Sequence, residues 1–175
     1  NAIICNGAGN NTGWLHRFFR FREGGRQLAS TSGSMGSGIP AAIAAALEHP
    51  ERQVIAMTGD GDIQMTSQEL ATIAQGGLSI GVIVVNNAML GTIRVHQETR
   101  FPGRTENTDL VNPDFMTLAN AYGFAAERVT RTADFGPALR RALDASGSTL
   151  IEVVTDAQAI AHTTTLSEIR TRANA

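Results

Sequence analysis

Along this chain the apolar residues come in short runs closed by glycine, asparagine or aspartate, and the runs alternate with longer stretches of helical spacing. The pattern predicts strands at Ala2 to Cys5, Val54 to Met57, Ile80 to Val85, Ala125 to Val129 and Thr149 to Val154. Between them, Trp14 to Arg22 reads as a helix with Trp14, Phe18 and Phe21 on one side. Ile39 to Leu47 reads as an alanine-rich helix with Pro40 in its first turn, where the missing N–H does no harm. Its small side chains would let it lie close against a sheet. Further helices are expected at Thr66 to Gln75 and Phe135 to Ala145. Another begins at Asn112 as N-cap, with Pro113 at the first position, and runs to Tyr122 before Gly123 ends it. Asn86 to Asn107 is mixed and partly charged, and reads as a long functional loop with room for a helical turn. The tail after Asp156 is weakly patterned, with a short helix near Leu166 to Arg172.

Strands that alternate with helices predict one α/β domain over residues 1–175: a doubly wound, mainly parallel sheet with helices on both faces. The 175 residues are enough to bury a real core. No internal repeat, low-complexity tract or linker divides them. The chain opens on Asn1-Ala-Ile-Ile-Cys, neither an initiator Met nor a signal peptide, and is expected to be a fragment of a longer protein.

Composition narrows the partners. With 42% apolar and 17% charged residues and a net charge of −2, nothing points to nucleic acid or an anionic membrane. No apolar run approaches the ~20 residues that cross a bilayer. A lone cysteine, Cys5, rules out an internal disulfide framework and fits a reducing, cytoplasmic setting. All 14 basic residues are Arg. A P-loop, with its phosphate-binding Lys, is therefore excluded. The dinucleotide fingerprint fails as well, because Gly7-x-Gly9 has no glycine at position 12 and Gly59-x-Gly61 has Gln64 at its third site.

The chemistry concentrates at Gly59-Asp60-Gly61-Asp62 and at Asn86-Asn87. Each closes an apolar run, with the segment Thr66 to Gln75 between them. Two parallel strands joined by a helix would set Asp60 and Asn87 side by side at the carboxyl ends, where open α/β sheets bind ligands. One carboxylate, one amide oxygen and glycine-freed backbone make a sparse site of hard oxygens. Such a site suits Mg²⁺ carrying a phosphorylated ligand better than an all-protein Ca²⁺ cage. Free N–H groups at the turn and the positive end of the following helix favour a phosphate there.

Gly59-Asp60-Gly61 followed by Asn86-Asn87 at this distance resembles the diphosphate-binding motif of thiamine-diphosphate-dependent enzymes. Gly33-Ser-Met-Gly-Ser-Gly-Ile-Pro-Ala-Ala42 is similar to the loop that precedes the motif in the branch holding acetolactate synthase, benzoylformate decarboxylase and pyruvate oxidase. Gly9-Asn-Asn-Thr-Gly-Trp14 is similar to a third element, whose polar side chains contact the diphosphate. The three stand in the family's order and cover nearly the whole chain.

The resemblance implies thiamine diphosphate and Mg²⁺ as cofactors. It assigns the metal to Asp60, Asn87 and the backbone carbonyl of Met89, with two diphosphate oxygens and a water completing an octahedron. Asn10 and Asn11 would reach the diphosphate, as would N–H groups at Gly61 and Asp62 beside Gly59. Gly33 would accept the aminopyrimidine amino group on its carbonyl. Met35 would be the large apolar residue that bends the cofactor into a V, where the bland alternative is core filler. The chain departs from acetolactate synthases in having Asn10-Asn11 for a Gln-His pair, Ala88 after the asparagines, and His96 in place of a Trp. His96 and Gln97 are candidates to face substrate; His16, His49 and His162 read as surface or packing residues.

The resemblance also implies what is missing. In that family a buried Glu tautomerises the aminopyrimidine, and it belongs to an N-terminal pyrimidine-binding domain acting on cofactor held by the partner subunit. No residue here matches it. The chain is expected to hold the diphosphate half of the active site of a 2-keto acid decarboxylase or carboligase, inactive alone, in a homodimer or tetramer. The alternative reading is a non-catalytic cofactor-binding or subunit-interface module.

Overall fold

In a computed structural model, which describes residues 1–174, six strands form one sheet in the order β2-β1-β3-β4-β6-β5, and every pairing is parallel. The strands are β1 (Ile3–Asn6), β2 (Arg26–Ala29), β3 (Val54–Gly59), β4 (Ile80–Asn86), β5 (Ala125–Val129) and β6 (Thr149–Val154). Helices α1 (Asn11–Phe18), α2 (Gly38–Glu48), α3 (Asp60–Ile63), α4 (Glu69–Gln75), α5 (Gly91–Arg100), α6 (Phe115–Ala121), α7 (Thr132–Asp144) and α8 (Leu166–Ala173) connect and cover them. The expected doubly wound α/β architecture is what the chain adopts. β1, β3, β4 and β6 are almost purely aliphatic because a parallel sheet is covered on both faces.

The main core joins Ile3, Cys5, Val54, Ala56, Ile80, Val82, Val84 and Leu150 of the sheet to Ile39, Ala42, Ile43 and Ala46 of α2 and to Leu70 and Ile73 of α4. The alanine face of α2 does lie close. A Cβ on Gly38 would stand 2.8 Å from the Gly7 nitrogen, so the first turn of α2 abuts the end of β1 only with glycine there. On the other side of the sheet, Val129 and Ile151 pack with Ala138, Phe135 and Leu139 of α7.

Several details differ from the sequence reading, among them α7, which starts at Thr132 and not Phe135. β2 has no counterpart in the pattern, because it is a short edge strand with mostly exposed side chains. Helix α1 starts earlier and stops at Phe18, with Phe19 extended. The segment expected to be a helix from Thr66 begins at Glu69 instead; Thr66 is held out by its hydroxyl, which donates to the Gly36 carbonyl over 2.8 Å. The turn nearest the candidate motif is therefore the short α3.

α5 is a ten-residue helix where a loop was expected. Its buried positions are Arg94 and Glu98, which a pattern reading counts as surface. Arg94 is satisfied by Asp109 and by Thr108, and Glu98 by Arg170 and the Gly103 N–H. Finally, α6 starts later than expected. Its cap is Asp114, whose Oδ1 accepts the Thr117 N–H over 2.8 Å, so Pro113 lies before the helix and Asn112 is released from capping.

Candidate functional site

The strand order reverses at β1, whose neighbours are β2 on one side and β3 on the other. The loops leaving β1 and β3 diverge there and open a crevice at the carboxyl edge. β3 and β4 pair with Gly59 opposite Val85, so Asp60 and the Asn86-Asn87 pair emerge side by side as the spacing predicts. A cavity of about 260 Å³ occupies the crevice. The ten residues assigned to cofactor and metal all line it: Asn10, Asn11, Gly33, Met35, Gly59, Asp60, Gly61, Asp62, Asn87 and Met89; His96 and Gln97 do not.

Asn10 closes the loop after β1 and Asn11 opens α1. The Thr92 hydroxyl donates to Asn10 Oδ1 over 2.9 Å, which leaves the Asn10 amide nitrogen to find its own acceptor. The side-chain nitrogens of Asn10 and Asn11 are both buried and without a hydrogen-bond partner. Buried unpaired donors are costly and rare in native proteins. Two together on the wall of one cavity suit an anion that accepts from both.

Asp60 is only 3% exposed, and no cationic side chain pairs with it among the described residues. Its Oδ2 accepts from the Asn112 amide over 2.8 Å and its Oδ1 from the Gly61 N–H over 3.0 Å. Burial pushes the Asp60 carboxyl above its ordinary range, against the lowering effect of the bonds from Asn112, Gly61 and Ala88. A buried carboxylate offset only by neutral donors favours a cation beside it. Among the described residues no three His, Cys, Asp or Glu side chains cluster to hold a metal by themselves. A cation at Asp60 would draw its other oxygens from amide, backbone and ligand, which is the donor set Mg²⁺ accepts.

Asp62 does different work. Its Oδ2 accepts the Thr58 hydroxyl over 2.7 Å and its Oδ1 accepts the Gly36 N–H, tying the Met35 loop to the end of β3. The carboxylate sits directly on Gly7, where a Cβ would lie 1.7 Å from Oδ2. Met35, 39% exposed, lines the cavity from that loop and is not core filler.

Met89 is placed by a single antiparallel bridge to Asp109, made through Leu90 N to Thr108 O and Leu110 N to Ala88 O. That pattern turns the Met89 carbonyl away from the Thr108–Leu110 segment. Ala88, at φ 55°, supplies the left-handed kink that aims it. Asn87 Oδ1 accepts the Met89 N–H over 3.2 Å. Asn86, by contrast, turns inward: its amide nitrogen donates to Glu152 Oε1 over 2.6 Å.

Sequence reasoning missed Leu90, Gly91, Thr92 and Ile93, which line the cavity from the start of α5. It also missed Asn112. The Thr92–Asn10 contact joins positions too far apart for any local pattern to flag. His96 lies one turn further along α5 than Thr92, exposed and away from the cavity lining. His162 packs edge-on against Trp14 and Phe18, with centroids 6.2 and 6.4 Å away.

Fold and site together define an α/β domain with a polar cavity at the switch point of its parallel sheet. Residues 7–153 match the family model described as "Thiamine pyrophosphate enzyme, C-terminal TPP binding domain". The chain is 39% identical over 148 residues to the acetolactate synthase large subunit of Corynebacterium glutamicum, covering 81% of this chain and 24% of that protein. It is 40% identical over 126 residues to the Lactococcus lactis large subunit, covering 70% and 22%. Among solved structures, the thiamine diphosphate-dependent 4-hydroxybenzoylformate decarboxylase of Rhodococcus jostii superposes with a TM-score of 0.82 at 33% identity, covering 89% of this chain and 30% of that one. The chain therefore belongs to the thiamine pyrophosphate enzymes, as their C-terminal TPP-binding domain, in an acetolactate synthase-like branch. It spans about a quarter of the length of these acetolactate synthases.

Proposed function

We propose that this chain binds thiamine diphosphate through Mg²⁺ and forms the diphosphate half of the active site of a 2-keto acid decarboxylase or carboligase. The observation that carries the reading is one cavity with two unpartnered buried amide donors, Asn10 and Asn11, and a buried carboxylate, Asp60, without a cationic partner. Diphosphate would satisfy the first and Mg²⁺ the second. Asp60, Asn87 and the Met89 carbonyl hold the metal; Asn10, Asn11 and the Gly61 and Asp62 N–H groups, beside Gly59, take the diphosphate. Gly33 offers its carbonyl to the aminopyrimidine, and Met35 supplies the apolar wedge beneath a bent cofactor.

When bound, thiamine diphosphate supplies a nucleophilic carbanion and the electron sink that makes loss of CO₂ from a 2-keto acid feasible. The chain's own part is to fix the cofactor by its charged end and to keep the apolar wall of Met35, Leu90 and Ile93 against its reactive end. Decarboxylation fits both the acetolactate synthase relatives and the structural neighbour, whose named substrate is itself a 2-keto acid.

The acids lining the cavity are Asp60 and Asp62, with no Glu among the lining residues. The activating Glu is therefore proposed to come from a pyrimidine-binding domain, in the same protein or a partner subunit, and this chain alone to turn over no substrate. Phe18, Phe19, Phe21 and Leu28 are 63, 43, 42 and 41% exposed, an apolar surface suited to such a partner in a homodimer or tetramer. No described helix is long and apolar enough to cross a membrane. The cytoplasm is the proposed compartment, where the lone buried Cys5 would stay reduced.

Calorimetry on Asp60→Ala tests the reading, because that change removes the only anionic side chain in the proposed shell. Loss of Mg²⁺-dependent thiamine diphosphate binding is expected. Unchanged cofactor affinity would overturn the metal assignment.

A further inference from the structure

We infer that Asn112 is a positioning residue for the cation-binding carboxylate of Asp60. The inference rests on the Mg²⁺ reading above. The Asn112 amide nitrogen donates to Asp60 Oδ2 over 2.8 Å and to Asn86 Oδ1 over 3.0 Å, so both its N–H groups are engaged. Its Oδ1 accepts from Gln64 Nε2 over 2.9 Å, and the same Gln64 nitrogen lies 3.2 Å from the Asp60 carbonyl. One short side chain thus binds the turn after β3 to the end of β4. A helix start needs none of this, and the cap of α6 is Asp114.

What the arrangement does follows from which groups are charged. A carboxylate free to rotate offers its lone pairs in any direction. Asp60 is held at both oxygens, Oδ2 by Asn112 and Oδ1 by the Gly61 N–H, so the carboxylate is fixed in orientation. Both donors are neutral, and they orient the charge without cancelling it. An Arg at this place would orient Asp60 equally well and would discharge it.

Asn112 is itself held. Asn86 passes the restraint on to Glu152, and Glu152 Oε2 accepts from Arg128 Nε over 2.5 Å. The only cation in the relay, Arg128, therefore stands beyond Asn112, Asn86 and Glu152 from Asp60, already paired with Glu152. Metal ligands depend on such supporting bonds, and removing one weakens metal binding roughly 10- to 100-fold.

The test is titration of Mg²⁺ into the full-length protein at saturating thiamine diphosphate. Asn112→Ala is expected to weaken Mg²⁺ binding roughly 10- to 100-fold. Gln64→Ala, at an exposed position, frees Asn112 from one side and is expected to weaken it about threefold, the size of one ordinary hydrogen bond. The double variant should bind better than the product of the two single effects, since part of the Gln64 contribution runs through Asn112 and the rest through its bond to the Asp60 carbonyl. A purely structural role would lower the melting temperature and leave the metal affinities alone. Asn112→Ala within twofold of the parent overturns the inference, as does full additivity in the double variant. If Asn112→Ala does not fold, Gln64→Ala decides: weakened binding supports the role and parental binding overturns it. Asp60→Ala, run alongside, separates the two levels. If it binds Mg²⁺ like the parent, the cofactor reading falls; if it alone loses the metal, only the role of Asn112 falls.

Discussion

Asp62 Oδ2 accepts the hydroxyl of Thr58 over 2.7 Å while its other oxygen holds the Gly36 N–H, so one carboxylate joins the end of β3 to the loop that carries Met35. Asp62→Ala leaves two buried donors unmade. The expected loss is roughly 2 to 6 kcal/mol of stability in urea, from about 1 to 3 kcal/mol for each of the two unsatisfied groups. Amide exchange at Gly36 should accelerate with it. A Gly36 amide as protected as in the parent would show that something else fixes the loop.

The charge on Asp60 works against the metal-free fold. Its folded pKa is raised by burial, so its contribution is fully favourable below the unfolded value and is lost as pH rises through the folded one. Asp60→Asn should therefore raise the melting temperature of the metal-free protein at pH 7. The gain should shrink as pH falls through the raised folded pKa and vanish below the ordinary carboxylate value of about 3.9, where Asp60 is protonated in both states. A variant that melts lower than the parent at pH 7 would contradict this.

Glu98 has the opposite sign. The hydrogen bond from Arg170 holds its carboxyl below the usual range, so the stability it contributes is present at neutral pH and is lost as pH falls through the folded pKa. This pair anchors α8 to α5, the helix that brings Thr92 and Ile93 to the cavity. Arg170→Ala is expected to speed amide exchange across α8 and the last turns of α5 at pH 7, and less as pH falls through the lowered folded pKa of Glu98. Exchange unchanged at pH 7 would mean that Ile160, Leu166 and Ile169 hold α8 unaided.

The parallel sheet was legible because Val54 to Met57 and Ile80 to Val85 are aliphatic throughout, which only a doubly covered strand tolerates. Asp60 and Asn87 were placed together by the same logic, since the ends of adjacent parallel strands share an edge. The unread parts have two causes. β2 buries too little to leave a pattern, and α5 buries Arg94 and Glu98, whose partners Asp109 and Arg170 lie elsewhere in the chain. Asn112 failed for a third reason. Asn-Pro-Asp is a legitimate helix start, and the shift of the cap by two residues depends on Asp60, 52 positions upstream, drawing the Asn112 amide away.

No two strands of this sheet are joined by a hairpin. Each pairing closes a long crossover, and the sheet order sends the chain from β1 out to an edge and back before β3 can dock. Such topologies assemble slowly, because distant segments must meet before any pairing is rewarded. The cavity wall is contributed by four stretches, from Ala8 to Ile93, that adjoin only once β1, β3 and β4 are in register. A ligand in that cavity has nothing to bind on a half-folded chain. Its capture acts as a timer on assembly, registering the moment when the last of the three strands has docked.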